Sequence, residues 1–308
     1  MNTKTKNAKN TGNSKNEKQY FHGETDKTKK KNRRMLFFHN YLKETLYQKY
    51  VPRSKGRILE LAAGRGGDIY KIMSSGAKYA LLVEQNKEAL QEAEKRFGEE
   101  KKKHVEHGSN REKADASSIN MRFLQYDLSK NATKDIGSIV KKNGIDCFDI
   151  VSIQFAFHYF LENKKSFETI FKNIDTYCCS KGYVFITGFD GERVMKFLEE
   201  TKKGEGKALM INDVKVFEID RLYNGNEIRN VGQPIDVFVQ TIGKHKEYLI
   251  NFKFIIEYFE KHGYKLIENR PFNEIIREWR AHVGRKIFLN PSEFKFSSLN
   301  RMVVFQKL

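Results

Sequence analysis

The chain has 308 residues, 39% of them hydrophobic, with a formal net charge of +18 and a pI near 9.6. That is enough apolar material for one large core, alone or with a sizeable insertion, and it excludes a small scaffold stapled by disulfides. The charge exceeds what solubility needs and points to a polyanionic partner; residues 1 to 34 hold 11 basic and 3 acidic residues, which leaves +10 on the remainder.

Residues 1–32 are rich in Lys, Asn, Thr, Ser and Gly and nearly free of aliphatic side chains, so a disordered basic tail is expected. From Arg33, Met35, Phe38, Leu42 and Leu46 recur at helical spacing and predict an amphipathic helix that ends before Pro52. Strand and helix patterns then alternate: strand 57–62, helix 67–74, strand 79–84, helix 87–97, strand 121–126, strand 148–154, helix 167–177 and strand 183–187. Continuous apolar strands separated by helices predict an α/β fold, mainly parallel with helices on both faces. Lysine-rich residues 98–118 read as a loop, and residues 200–245, with Gly204, Gly206, Gly225, Gly232 and Gly243 and no helical period, read as an inserted β-rich flap. A helix at 251–261 and strands at 264–268 and 301–305 complete a single domain over 33–308.

No stretch approaches the roughly 18 apolar residues of a membrane helix, and the amino terminus lacks the apolar region of a secretion signal. Of the three cysteines, Cys178 and Cys179 are adjacent and no Cys-x-x-Cys spacing occurs. Neither a disulfide framework nor a metal site is expected, and a reducing compartment fits.

The chemistry concentrates at strand ends. Leu59 to Asp68 runs from a strand through a glycine-rich turn into a helix, but Ala62, Gly64, Gly66 and Gly67 do not match the dinucleotide spacing, so a nicotinamide site is disfavoured. Glu84 ends the next strand, where a carboxylate can accept both hydroxyls of a ribose, and Asp127 follows the third, placed to meet an adenine edge. Gln154-Phe-Ala-Phe-His-Tyr159 packs an amide, aromatics and a histidine at the end of the fourth strand, a composition suited to a flat, hydrogen-bonding ring. In this order the elements predict an adenosine site of the methyltransferase kind.

With these motifs the chain resembles the messenger RNA cap guanine-N7 methyltransferases, especially those of large DNA viruses. The likeness covers residues 33–308 and rests on Phe38 to Lys43, Leu59 to Asp68, Gln154 to Tyr159, Gly182 to Gly191 and Lys246 to Leu249. It implies a Rossmann-like class I S-adenosylmethionine-dependent methyltransferase. It further implies that Lys43, Ala62, Gly64, Glu84, Asp127, Gln154 and Tyr159 hold S-adenosylmethionine. His39, Asn40, Arg65, Lys71, Arg96, His158 and Glu247 would take the cap, with Arg65, Lys71 and Arg96 on its phosphates and His158 and Glu247 on its guanine. No residue need act as a general base, because guanine N7 already carries a free lone pair. The family's usual Gly-Cys-Gly-Lys is Ala62-Ala63-Gly64-Arg65 here, its proline before the Glu-Tyr-Leu segment is Lys246, and its last-strand tyrosine falls at Asn300 or a neighbour. Capped RNA is the implied partner, a capping enzyme or polymerase fits beside it, and no membrane is involved. The implied location is the nucleus or a cytoplasmic viral factory. A methyltransferase of another substrate class and a catalytically inactive cap- or RNA-binding subunit stay open at this point.

Overall fold

The computed structural model describes residues 33–283 and 288–308; the tail expected at 1–32 lies outside them. Helix α1 (Arg33–Tyr50) leads into β1 (Arg57–Leu61), α2 (Ile69–Ser74), β2 (Tyr79–Glu84), α3 (Lys87–His107), α4 (Asn110–Ser118) and β3 (Asn120–Gln125). Then come α5 (Thr133–Lys142), β4 (Phe148–Gln154), a 3-10 turn (Phe157–Leu161), α6 (Lys164–Tyr177), β5 (Cys178–Phe189) and α7 (Gly191–Phe197). Strands β6 (Gly206–Ile211), β7 (Val214–Arg221), β8 (Pro234–Val239) and β9 (Gly243–Tyr248) precede α8 (Phe252–Lys261), β10 (Tyr264–Pro271), α9 (Phe272–Val283), α10 (Pro291–Ser297) and β11 (Asn300–Lys307).

The main sheet has 7 strands in the order β10-β11-β5-β4-β1-β2-β3, and β6 to β9 form a separate 4-stranded sheet. Strands β1 to β5 are parallel, while β11 runs antiparallel to both β5 and β10. The strands are buried on both faces, so the apolar residues divide into two layers. Leu59, Val151 and Ile153 pack towards α5, α6 and α8, whereas Ile58, Ile150 and Phe185 pack towards α1, α2 and α9. Because the chain lays β2 and β3 on one side of β1 and β4 and β5 on the other, a crevice opens between the carboxyl ends of β1 and β4. Open α/β sheets bind ligands at such a switch point.

The expected flap exists as the antiparallel β6–β9 sheet with its own small core, which includes Phe217, Ile235 and Val237. The expected loop at 98–118 does not: α3 continues to His107, and α4 begins after a capping box in which Ser109 and Glu112 satisfy each other's backbone N–H groups. Charge pairing replaces apolar periodicity there, with Lys95 on Glu99 and Lys102 on Glu106 at helical spacing. A disulfide also overturns the cysteine reading. Cys147 bonds Cys179 across 32 residues because the parallel register of β4 and β5 sets Phe148 opposite Cys178. Cys178 stays a buried thiol, pushed up to about 12 by burial. Among the described residues no helix is long and apolar enough to cross a membrane.

Candidate active site

Both strands flanking the crevice end on a residue in left-handed backbone, Ala62 after β1 (φ 56°) and Phe155 after β4 (φ 57°). Side chains rarely adopt this conformation, which costs on the order of 1–2 kcal/mol and clusters where a chain must turn sharply around a ligand. Gly66 (φ +70°) allows the tightest part of the turn, since a Cβ there would lie 2.4 Å from Ile69 Cδ1 and 2.9 Å from Ala93 Cβ. Glu84 clamps this loop to β2, its Oε2 accepting from Gly64 N at 2.8 Å and its Oε1 from Asn86 N at 2.9 Å. Asp127 lies beyond the end of the neighbouring β3. Partial burial works against its charge, but the Ser129 hydroxyl and N–H, with Lys130, hold it below the usual range.

Under the crevice lies a charged cluster in which the sequence singled out Lys43 and Lys71 but not their acidic neighbours Asp68 and Glu60. Lys43 Nζ on α1 donates to Asp68 Oδ1 at 3.1 Å and Oδ2 at 2.9 Å, and Lys71 Nζ reaches Asp68 Oδ1 at 3.0 Å. Burial opposes the charge on Asp68, but the two ammonium groups hold it below the ordinary carboxylate range. Glu60 on β1 is pushed well above that range, by burial first and by Asp68 second. Two buried acceptors here, Glu60 Oε2 and Gln154 Oε1, have no hydrogen-bond partner among the described residues. Such atoms are uncommon inside proteins and leave acceptor capacity at this point of the crevice. The signal for Glu60 was present in the sequence: a carboxylate in the middle of Ile58-Leu59-Glu60-Leu61.

Beside this group, His39 stacks on Phe155 at 4.8 Å, Lys43 lies 5.3 Å from the centre of the same ring, and His39 Nε2 is 2.8 Å from Ser297 Oγ. His39 is lowered to about 3, by burial first and by Lys43 second. His158 and Tyr159, on the 3-10 turn, meet edge to face at 4.0 Å. His158 Nδ1 lies 3.5 Å from Glu247 Oε2, with His158 and Glu247 respectively 3% and 5% exposed. Neither ring nitrogen of His158 has a hydrogen-bond partner among the described residues. Burial lowers His158 to about 4 despite Glu247, and it is a neutral imidazole near pH 7. Burial raises Glu247, but His158 and the His245 N–H more than offset this and keep the carboxyl below its usual range.

The structure thus gathers Lys43, Ala62, Gly64, Glu84, Asp127, Gln154 and Phe155 along the strand ends, and sets His158, Tyr159 and Glu247 beside them. Arg65 and Arg96 share Glu92, at 3.0 and 3.4 Å, on the exposed flank of the glycine loop. Asn40 is exposed on α1. Lys71 departs from expectation. Its side chain is 5% exposed and its ammonium is held by Asp68 and by Gly67 O at 2.7 Å, so it is an internal counter-charge and not a surface contact for phosphate. Asn300, where the family's tyrosine would fall, is buried, with its amide donating to Ser297 O at 3.1 Å.

A family model described as the mRNA (guanine-N(7))-methyltransferase domain matches residues 2–293. The chain belongs to this family. It is 24% identical over 262 residues to a probable mRNA-capping enzyme of Acanthamoeba polyphaga mimivirus, covering 80% of this chain and 22% of that protein. It is 27% identical over 251 residues to an mRNA-capping enzyme of African swine fever virus, covering 78% and 27%. An mRNA cap guanine-N(7) methyltransferase of Candida glabrata is 24% identical over 271 residues, covering 84% and 60%. The chain therefore spans about a quarter of the length of the viral relatives it matches. An S-adenosylmethionine-dependent methyltransferase from Clostridium acetobutylicum shares the fold, with a TM-score of 0.51 at 12% identity over 88% of this chain and 91% of that one.

In this member of the cap guanine-N7 methyltransferase family the neutral, buried His158 makes stability depend on pH. An imidazole whose folded value is about 4, against an ordinary 6.5, stabilises the fold fully above pH 6.5 and loses that contribution as pH falls towards 4. The loss is on the order of 3 kcal/mol. Denaturant unfolding of His158→Gln and the parent at pH 7.5 and about pH 4.5 should show a smaller pH effect in the variant.

Proposed function

We propose that this chain transfers the methyl group of S-adenosylmethionine to N7 of the guanosine that caps messenger RNA. The observation that carries this reading is Glu247, a buried carboxylate beside a neutral histidine at the mouth of a methyltransferase crevice. A carboxylate accepts from the N1–H and exocyclic amine of guanine and is mismatched to adenine, which offers an acceptor at N1. S-adenosylmethionine, when bound, supplies an electrophilic methyl on a sulfonium.

The residues present fit that group. The buried acceptors Glu60 Oε2 and Gln154 Oε1 suit its ammonium end, Lys43 lies close enough to answer a carboxylate, and Glu84 is placed for ribose hydroxyls. The chain's own contribution is alignment and exclusion of water, which can supply several kcal/mol of a barrier without proton transfer. Guanine becomes more positive as N7 is alkylated, so the hydrogen bonds to the Glu247 carboxylate strengthen on the way to the transition state. His158 stays neutral, which avoids placing a cation beside that developing charge.

Arg65 and Arg96 fit the triphosphate bridge. Arg65→Ala is expected to raise KM for capped RNA about tenfold with little change in kcat, and to reduce the slope of log affinity against log salt by about one. Equal salt slopes for variant and parent, from titrations at several salt concentrations, would remove Arg65 from the phosphate path. A capping-enzyme or polymerase partner and an intracellular site of action, nucleus or viral factory, belong to the same proposal, because capped transcripts arise there. The reading is tested by incubating the chain with methyl-labelled S-adenosylmethionine and guanosine-capped RNA and digesting the product. Label in 7-methylguanosine supports it; label on an internal base or a ribose, or transfer only to small acceptors, rejects it.

A further inference from the structure

Strand β9 turns alternate side chains to opposite faces, leaving Lys244 and Lys246 exposed while His245 and Glu247 point inward. Across the ladder they face Val237 and Ile235, which are 1% and 0% exposed, so the pair stands on an apolar floor. A carboxylate in such a place is poorly hydrated and needs hydrogen-bond donors to stay charged. The ionisable groups that bear on Glu247 are His158 from the 3-10 turn and His245 from its own strand. They are not equivalent. His245 Nε2 is 2.7 Å from Glu247 Oε1, a full hydrogen bond, while His158 Nδ1 stands off at 3.5 Å from Oε2. An ionised carboxylate only accepts, so the proton of the closer contact resides on His245 Nε2.

We propose that His245 is a positioning residue for the methyl-transfer reaction, fixing Oε1 of Glu247 so that Oε2 is presented to the guanine edge beside His158. The inference rests on the reading of Glu247 as the guanine acceptor. The device resembles the outer partners that orient metal ligands and catalytic groups: one end of the carboxylate is tied down and the other is left for the substrate. It also keeps Glu247 charged. The Nε2–H is one of the contacts that offset burial, so without it the carboxyl holds its proton to higher pH and activity is lost earlier on acidification. His158 is lowered to about 4 and stays neutral through most of that range.

The test compares the parent, His245→Phe and His245→Gln, with kcat and KM for guanosine-capped RNA measured from about pH 5 to 9. The Phe variant is expected to lose about tenfold in kcat and to move the acid limb of kcat/KM up by about one pH unit, with affinity for S-adenosylmethionine unchanged. Gln, whose amide Nε2 can donate from nearly the same place, should recover most of both. A Phe variant with the parent's acid limb and kcat would overturn the proposal. Glu247→Ala is run alongside: if it stays active the guanine reading itself falls, and if it is inactive while the Phe variant matches the parent only the His245 assignment falls. Should the Phe variant not fold, nitrogen-15 spectra of the unmutated protein decide. They are expected to show an exchange-protected His245 Nε2–H whose protection is lost in Glu247→Ala, and an unprotonated Nε2 would contradict the assignment.

Discussion

Glu247→Ala is expected to lower kcat by about 10²- to 10³-fold while the melting temperature falls only modestly. The catalytic magnitude is that of removing one fixed, buried electrostatic partner from a transition state. The smaller effect on stability follows from burial. Glu247 is 5% exposed on a floor of Ile235 and Val237, with one close donor in His245. Desolvation offsets much of what such a charge contributes to folding, but its removal leaves the His245 N–H without its acceptor, so the net effect is a modest loss. A residue kept for packing would show the reverse proportion, a large fall in melting temperature and little loss of turnover. Measuring kcat and thermal unfolding on the same preparation separates the two.

Glu84→Ala is expected to weaken S-adenosylmethionine binding about 100-fold by calorimetry. Hydrogen bonds to a charged acceptor are worth about 1.5–3 kcal/mol each, and a ribose offers two hydroxyls to one carboxylate. Part of the loss acts through the loop, because Glu84 Oε2 also accepts from Gly64 N and so anchors the turn that Gly66 makes possible. Unchanged donor affinity in this variant would remove Glu84 from the cofactor site.

Strand ends were the most legible part of this chain. Apolar runs such as Tyr79 to Glu84 can be satisfied only by burial on both faces, and the carboxylates or amides that close them then fall on one rim. The signal of the flap was weaker, five glycines and the lack of a helical period over residues 200–245, and strands β6 to β9 fall over that segment. What escaped were features decided by contacts distant in sequence or by charge. Helix α3 beyond Phe97 has little apolar stripe and is carried by pairs such as Lys103 with Glu100 and Lys102 with Glu106. Helix α9 buries Trp279 completely against Phe38, a contact between segments some 240 residues apart. The Cys147–Cys179 bond exists because β4 and β5 are neighbours, which no spacing rule reports.

Within the site the same division holds. His158 and Glu247 were recognisable from their motifs, and the structure sets them 3.5 Å apart. Lys71 was expected on the cap phosphates through the family resemblance alone. The helical turn from Asp68 folds it back onto that carboxylate instead, and Lys43 arrives from α1 to share it. His245 could have been found by noting that it stands two residues before Glu247 in a strand, and so on the same face. Ala62 is the converse case. The substitution of alanine for the family's usual glycine is visible in the sequence, but only the backbone reveals that this alanine occupies φ 56°.

The central claim is that cofactor and purine lie side by side over the β1–β4 switch point, with the guanine edge on Glu247. A crystal structure of the chain with S-adenosylhomocysteine and a guanosine cap analogue tests it most directly. The account predicts guanine N1–H and the exocyclic amine on the Glu247 carboxylate, with N7 turned towards the sulfur across a gap wide enough for one methyl group. A cap analogue bound in a cavity remote from the sulfur, or a base whose N7 faces away from it, would contradict the account.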